Sequence, residues 1–255
     1  TDMMVLQNGN LFAAGAFQFP GLTPNEFATW DGASWTPVGL PTLVAPQVVA
    51  QMPNGDLFAG GYELYKLVGF VWTSVGKPTF QAGVIRSLAA RGASLMVASD
   101  DYVWSYAGNT WVGTVAAPGG PVNALQSLPG SSQELLIGGQ FPQTGNVVRL
   151  LGGTAGSVPI GSGLAGTPVA GYSHVQGTAL AANGDVLLVG YFFSAGGIGS
   201  GYFARLSTSC PASVSSAGTG CAGSGGNNIL SATSLPWTGG QFTSRATGMP
   251  GSGLA

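Results

Sequence analysis

Asn54-Gly-Asp-Leu-Phe-Ala-Gly-Gly61 is a unit of two parts, a glycine-bearing turn that runs straight into a short apolar strand. Four segments of the same design lie elsewhere: NGNLFAAGAF from Asn8, RGASLMVASD from Arg91, SSQELLIGGQF from Ser131 and NGDVLLVGYFF from Asn183. Set on one column, the anchors are Gly15, Gly60, Ser99, Gly138 and Gly190, at steps of 45, 39, 39 and 52 residues. A recurrence of about 44 residues is the spacing of propeller blades or solenoid units. This repetition decides an architecture; it names no substrate and no reaction.

Each repeat holds four apolar segments. In the third they are Gly83-Val-Ile-Arg-Ser-Leu-Ala-Ala90, Leu95-Met-Val-Ala98, Tyr102-Val-Trp-Ser-Tyr106 and, after Ala107-Gly-Asn109, Thr110-Trp-Val-Gly113. In the first repeat Phe27-Ala-Thr-Trp-Asp-Gly-Ala-Ser-Trp-Thr-Pro-Val-Gly39 reads as a hairpin, because Asp31-Gly32 readily supplies a positive φ. Trp30 and Trp35 flank that turn as a cross-strand aromatic pair. The closing strand recurs as WTPVG, WTSVG, WVG and SVPIG. Proline inside it places it at a sheet edge, where a missing amide donor costs little. The second strand is instead a continuous apolar run, as expected of a strand covered on both faces. No helical period is sustained.

The expectation is therefore all-β: a β-propeller of about five four-stranded blades, with six as the alternative, followed by a short C-terminal β segment. The repeats run over 1–45, 46–82, 83–120, 121–170 and 171–209, and 210–255 forms a C-terminal tail, incomplete as a domain. The first repeat has only Met3-Met-Val-Leu6 ahead of its turn, so either the last repeat lends a strand to close the ring or the chain belongs to a longer propeller.

Charge is scarce, 6% of 255 residues against about a quarter in typical domains, and the formal net charge is −2. No basic cluster supports nucleic-acid binding. No apolar run reaches the roughly 18 residues of a membrane span. The two cysteines, Cys210 and Cys221, stand in a Ser/Ala/Gly-rich stretch without a histidine nearby. They read as a disulfide closing a small loop, with two free thiols as the alternative, and the disulfide favours an oxidising compartment.

The repeat NGDLFAGG with FATWDGASWTPVG resembles secreted bacterial propeller repeats loosely related to kelch and galactose-oxidase central domains. FARLSTSCP, GTGCAGSGG and LSATSLPWTGGQFTSRATGMP resemble the ending often attached to those repeats. The resemblance implies export and a propeller, hence an extracellular or cell-surface protein, and it implies no known reaction. The galactose-oxidase copper site needs two histidines, whereas this chain has one, His174, read as structural.

Asp100-Asp101 is the acidic doublet of the chain, read as a solvated strand end or, functionally, as a calcium or ligand contact at the propeller mouth. Within a strand its two carboxylates would point to opposite faces. The NGN and NGD turns could suggest calcium, but read as hairpin turns. Trp30, Trp35, Trp72, Trp104, Trp111 and Trp237 either pack between blades or offer ring faces to a glycan. No nucleophile elbow or carboxyl pair stands out, and no cofactor or metal is called for. The expected function is a secreted, non-enzymatic scaffold or binding module. The alternatives are a self-assembling subunit of an extracellular filament or surface layer, forming homo-oligomers or polymers, and a glycan-binding lectin or glycan-active enzyme.

Overall fold

The computed structural model describes residues 2–17, 25–39, 46–78, 83–116, 118–128, 134–151, 157–166, 173–207, 222–223, 226–227, 229–232 and 244–247. Strands dominate and no α-helix occurs among them. The chain divides into two compact units, Thr1–Leu206 and Ser207–Ala255.

The first unit is a succession of antiparallel sheets in which each strand pairs with the next in sequence. The first sheet orders β1 (Asp2–Val5), β2 (Leu11–Phe17), β3 (Asn25–Trp30) and β4 (Trp35–Pro37). The second holds β5 (Val48–Gln51), β6 (Leu57–Gly60), β7 (Leu64–Val68) and β8 (Val71–Gly76). The third holds β9 (Ile85–Arg91), β10 (Ser94–Ser99), β11 (Tyr102–Ala107) and β12 (Thr110–Ala116). The fourth holds β13 (Val122–Ser127), β14 (Leu135–Gly139), β15 (Val147–Leu150) and β16 (Ser157–Pro159). A short strand β17 (Leu164–Ala165) precedes the fifth sheet, which contains β18 (His174–Leu180), β19 (Val186–Tyr191) and β22 (Phe203–Leu206). Between its last two strands, β20 (Ser194–Ala195) and β21 (Ile198–Gly199) join β17 in a separate small sheet. These are the blades of a β-propeller.

The first strands of successive sheets lie side by side, so they are the innermost. One face of each sheet packs against the next sheet. Phe12, Ala14 and Phe27 meet Val49, Ala59 and Trp72, and Phe58 and Leu64 meet Ile85, Leu95 and Val97. Met96 and Ala98 meet Leu135 and Ile137, and Leu136 and Val147 meet Val175, Val186 and Leu188. The residues that share the forward face are thus Ala14, Gly60, Ala98, Gly138 and Val189. The sequence column Gly15, Gly60, Ser99, Gly138 and Gly190 mixes faces, because a slip of one residue reverses a strand's sides. Two of its members have a plain steric reason. A β-carbon on Gly60 would lie 2.5 Å from Ile85 Cγ2, and one on Gly138 would lie 2.6 Å from Val175 Cγ1, each on the next blade.

The NGN and NGD turns tie themselves. Asn8, Asn54 and Asn183 accept through Oδ1 from the amides of Asn10, Asp56 and Asp185, and the glycines between them have φ of 87°, 91° and 86°. In the second, fourth and fifth sheets an acid just ahead of the second strand meets a cation on the third strand of its own blade. Lys66 lies 2.7 Å from Asp56, and Arg149 and Arg205 pair with Glu134 and Asp185. These carboxylates are committed to ion pairs within the blade, and no metal-binding group is found among the described residues.

In the second unit β23 (Ala222–Gly223) pairs with β24 (Gly226–Asn227), and β25 (Ile229–Ala232) pairs with β26 (Ser244–Thr247). Cys210, Cys221 and Trp237 lie outside the described residues.

Candidate functional site

The innermost strands carry a feature that the apolar pattern hides. In the third, fourth and fifth sheets the ladder between first and second strands skips one residue of the first strand. Ala98 pairs with Ser87 and Ser99 with Ile85, leaving Arg86 out. Gly138 pairs with Ala124 and Gly139 with Val122, leaving out Asn123. Val189 pairs with Gly177 and Gly190 with Val175, leaving out Gln176. A bulge of this kind re-aims one side chain away from the regular alternation. Here it falls at the same place on three consecutive blades, each time at a polar residue beside a buried apolar one: Ile85, Val122 or Val175. In the second sheet the matching position is Gln47, just ahead of the Val48–Gly60 pair. Its counterpart in the first sheet is residue 1, outside the described residues.

Gln47, Arg86, Asn123 and Gln176, with Val48, line one cavity of about 250 Å³. Asn123 donates from Nδ2 to the Val175 carbonyl at 2.9 Å, which orients its amide. Flanking groups satisfy the outward backbone donors of the inner strands: Asp2 Oδ2 accepts from Val49 N at 3.0 Å, and Ser87 Oγ accepts from Leu125 N at 2.9 Å. The Arg86 side chain is exposed, with no hydrogen bond or ion pair among the described residues. The cavity therefore presents one guanidinium and three amides, groups that bind and orient a solute.

Asp100 and Asp101 do not lie in a strand. They form the two-residue turn between β10 and β11, with Asp100 at a φ of 50°, so their carboxylates do not follow strand alternation. The Ser99–Ile85 pairing puts this turn at the same end of the blade as Arg86. The Asp100 carboxylate is laid over Gly83, where a β-carbon would come within 1.9 Å of Oδ1, and its carbonyl accepts from Val122 N at 2.8 Å. Asp101 is exposed.

The tryptophans divide. Trp72 is 4% exposed, stacks on Phe27 at 4.1 Å between ring centres, and donates from Nε1 to the Val38 carbonyl of the preceding blade at 3.4 Å. Trp111 repeats this one blade on, donating to the Val75 carbonyl at 3.3 Å and meeting Tyr106 edge-on. Trp30 and Trp35 face each other across their hairpin at 5.5 Å, and Trp35 is 39% exposed. Trp104 packs beside Tyr102, with its indole nitrogen buried and unpartnered. His174 stacks on Tyr191 at the start of β18.

The structure gathers none of the acids and tryptophans singled out from sequence into the cavity. The bulge residues carry no signal in the sequence because a bulge is a property of pairing. Arg86 alone left a trace, as a charge inside an apolar stretch of a chain that uses charge sparingly.

No known protein family matches the chain, and no curated protein sequence matches it. Solved structures do. It superposes with a TM-score of 0.53 and 14% identity on the extracellular domain of a protein described as a hybrid two-component system of B. thetaiotaomicron, covering 74% of this chain and 26% of that one. The chain therefore spans about a quarter of that domain. With virginiamycin B lyase from Staphylococcus aureus, in a catalytically inactive form with quinupristin, the TM-score is 0.53 at 12% identity, covering 78% and 68%. With a protein described as a gluconolactonase it is 0.50 at 15% identity, covering 72% and 71%. These neighbours are β-propeller-type folds, and at such identities the likeness establishes the fold alone.

Proposed function

We propose that this chain is an extracellular, non-enzymatic propeller module that binds a small solute among its inner-strand bulges. The observation that carries the reading is the recurrence of a polar bulge residue at one position on three consecutive blades, joined by Gln47 on a fourth, around a single cavity. Bulges are over-represented beside functional sites, where they re-aim a side chain, and here three of them re-aim polar groups toward one cavity. The cavity lining offers guanidinium and amide groups, which fix a ligand without supplying a base or nucleophile. Placement outside the cell is supported by the resemblance to secreted repeats and by the extracellular domain among the structural neighbours. The test is a ligand screen by NMR on isotope-labelled protein. Binders should shift the side-chain amide signals of Gln47, Asn123 and Gln176. Binders whose shifts map to other surfaces would overturn the reading.

Self-assembly is a second reading, favoured by the outer faces of the end sheets. Met3 and Val5 on β1 are 63% and 67% exposed, and Val189 and Phe203 on the fifth sheet are 45% and 49% exposed. Such faces are buried between interior blades. Sedimentation across a hundredfold concentration range tests it, and a species that stays monomeric throughout would defeat it. A lectin reading has narrower support: Trp35 presents ring surface, whereas Trp72 is enclosed between blades.

A further inference from the structure

From the cavity chemistry we infer that its ligand is a small monocarboxylate rich in hydroxyl groups, of the class of acidic monosaccharides, held through Arg86. The inference rests on the binding reading above and specifies its substrate class. Charge is rare in this chain, and ion pairs within single blades account for much of what there is. Lys66, Arg149 and Arg205 are matched to Asp56, Glu134 and Asp185, and Arg91 donates to the Leu151 carbonyl at 3.1 Å. Arg86 has no such partner among the described residues, and its bulge directs it into the cavity. Among the described residues no carboxylate lines the cavity with it. Of the carboxylates at this end of the blades, Asp100 rests against the Gly83 backbone and Asp2 accepts from Val49 N.

A guanidinium fork matches a carboxylate in a bidentate pair. One positive charge balances one negative charge. A phosphate or sulfate dianion would leave net charge uncompensated, since the described lining holds no second cation and no helix terminus. The remaining groups set the rest of the ligand. Asn123 has spent a donor on Val175 and keeps its Oδ1 as an acceptor, while Gln47 and Gln176 each offer a donor and an acceptor. Alternating donors and acceptors suit hydroxyl groups, which act as both. About 250 Å³ lies just under the range of sites for drug-sized molecules and suits a single sugar ring.

The test is calorimetric titration with matched pairs: galacturonate against galactose, glucuronate against glucose, and inorganic sulfate as an anion control. The expected result is binding of at least one acid, with its neutral partner weaker by tenfold or more. Arg86→Gln should remove that preference while leaving the fold intact by circular dichroism. Arg86→Lys should recover part of it, since an ammonium keeps the charge but loses the fork. If a neutral sugar binds as well as its acid and still shifts the cavity amides, the carboxylate assignment fails while the binding reading stands. Sulfate binding as tightly as the acids would also overturn it, showing an unselective anion site. If no acid binds and binders found by screening map elsewhere, both readings fall.

Discussion

Replacing Gly138 by alanine adds one methyl group where two blades meet. That methyl would lie 2.6 Å from Val175 Cγ1 and 2.9 Å from its Cβ, inside contact distance and against a stiff β-branched side chain. Gly138 is not among the residues with positive φ, so the backbone accepts alanine and the cost is steric. Overpacking of this kind costs about 1–3 kcal/mol. Loss of glycine's freedom in the unfolded chain returns about 0.4–1 kcal/mol. A net loss of about 1–2 kcal/mol follows, or about 2–8 °C in melting temperature for a unit of this size. Val175→Ala alone should cost roughly 2 kcal/mol, from two buried methyl groups and the void they leave. Together the two changes should cost less than their sum, because the new methyl group enters the space the valine vacates. The coupling should reach about 0.5–3 kcal/mol. Urea unfolding followed by tryptophan fluorescence measures all four corners of the cycle. Gly199→Ala, where a β-carbon meets nothing within 4 Å, is the control and should change stability by under about 0.5 kcal/mol. Additive costs, or a neutral Gly138→Ala, would show that these blades do not pack through this contact.

Other outcomes follow from single sites. Asn146 is 1% exposed with a φ of 64°, accepting from Phe141 N at 3.0 Å and donating to the Leu164 carbonyl at 2.9 Å. Asn146→Ala strands both partners and should cost about 3 kcal/mol, with Asn146→Gly milder because glycine tolerates the backbone; thermal denaturation ranks them. Trp104→Phe removes a buried indole donor that has no partner, so the urea midpoint should hold or rise. The Lys66 ammonium, helped by the Asn54 amide, holds the Asp56 carboxyl below the usual carboxylate range. Its contribution is therefore present above the unfolded-chain value and lost as pH falls through the lower folded one. The stability gap between wild type and Asp56→Asn should shrink over that acid window, and a gap unchanged by acid would contradict the assignment.

Much of the fold was legible in the sequence because its causes are local. Asn-Gly turns at residues 8, 54 and 183 state where each second strand begins, and the apolar run after each states that both faces are covered. The face a residue takes was less legible. Gly15 and Ser99 look like Gly60 on paper, yet the packing pairs Gly60 with Ala14 and Ala98: the turns that precede Leu11 and Leu57 are equally long, and counted from Asn8 and Asn54 the counterpart of Gly60 is Ala14. Asp100-Asp101 reads like a strand end in sequence, but the β10–β11 hairpin uses it as its turn. The candidate site was the least visible part. Arg86, Asn123 and Gln176 become equivalent only once each first strand is laid against its second and the skipped residue is counted.

The reach of two indoles sets a dimension of this molecule. Trp72 and Trp111 stand on outermost strands and touch Val38 and Val75 on the blade before, where flat sheets crowded together at their inner edges have begun to diverge. At these two junctions a double ring is wide enough to bridge the widening gap, so it acts as a spacer between neighbouring sheets. The fourth sheet, whose outer strand is Ser157–Pro159, has no such indole, so the spacing there is left to smaller side chains.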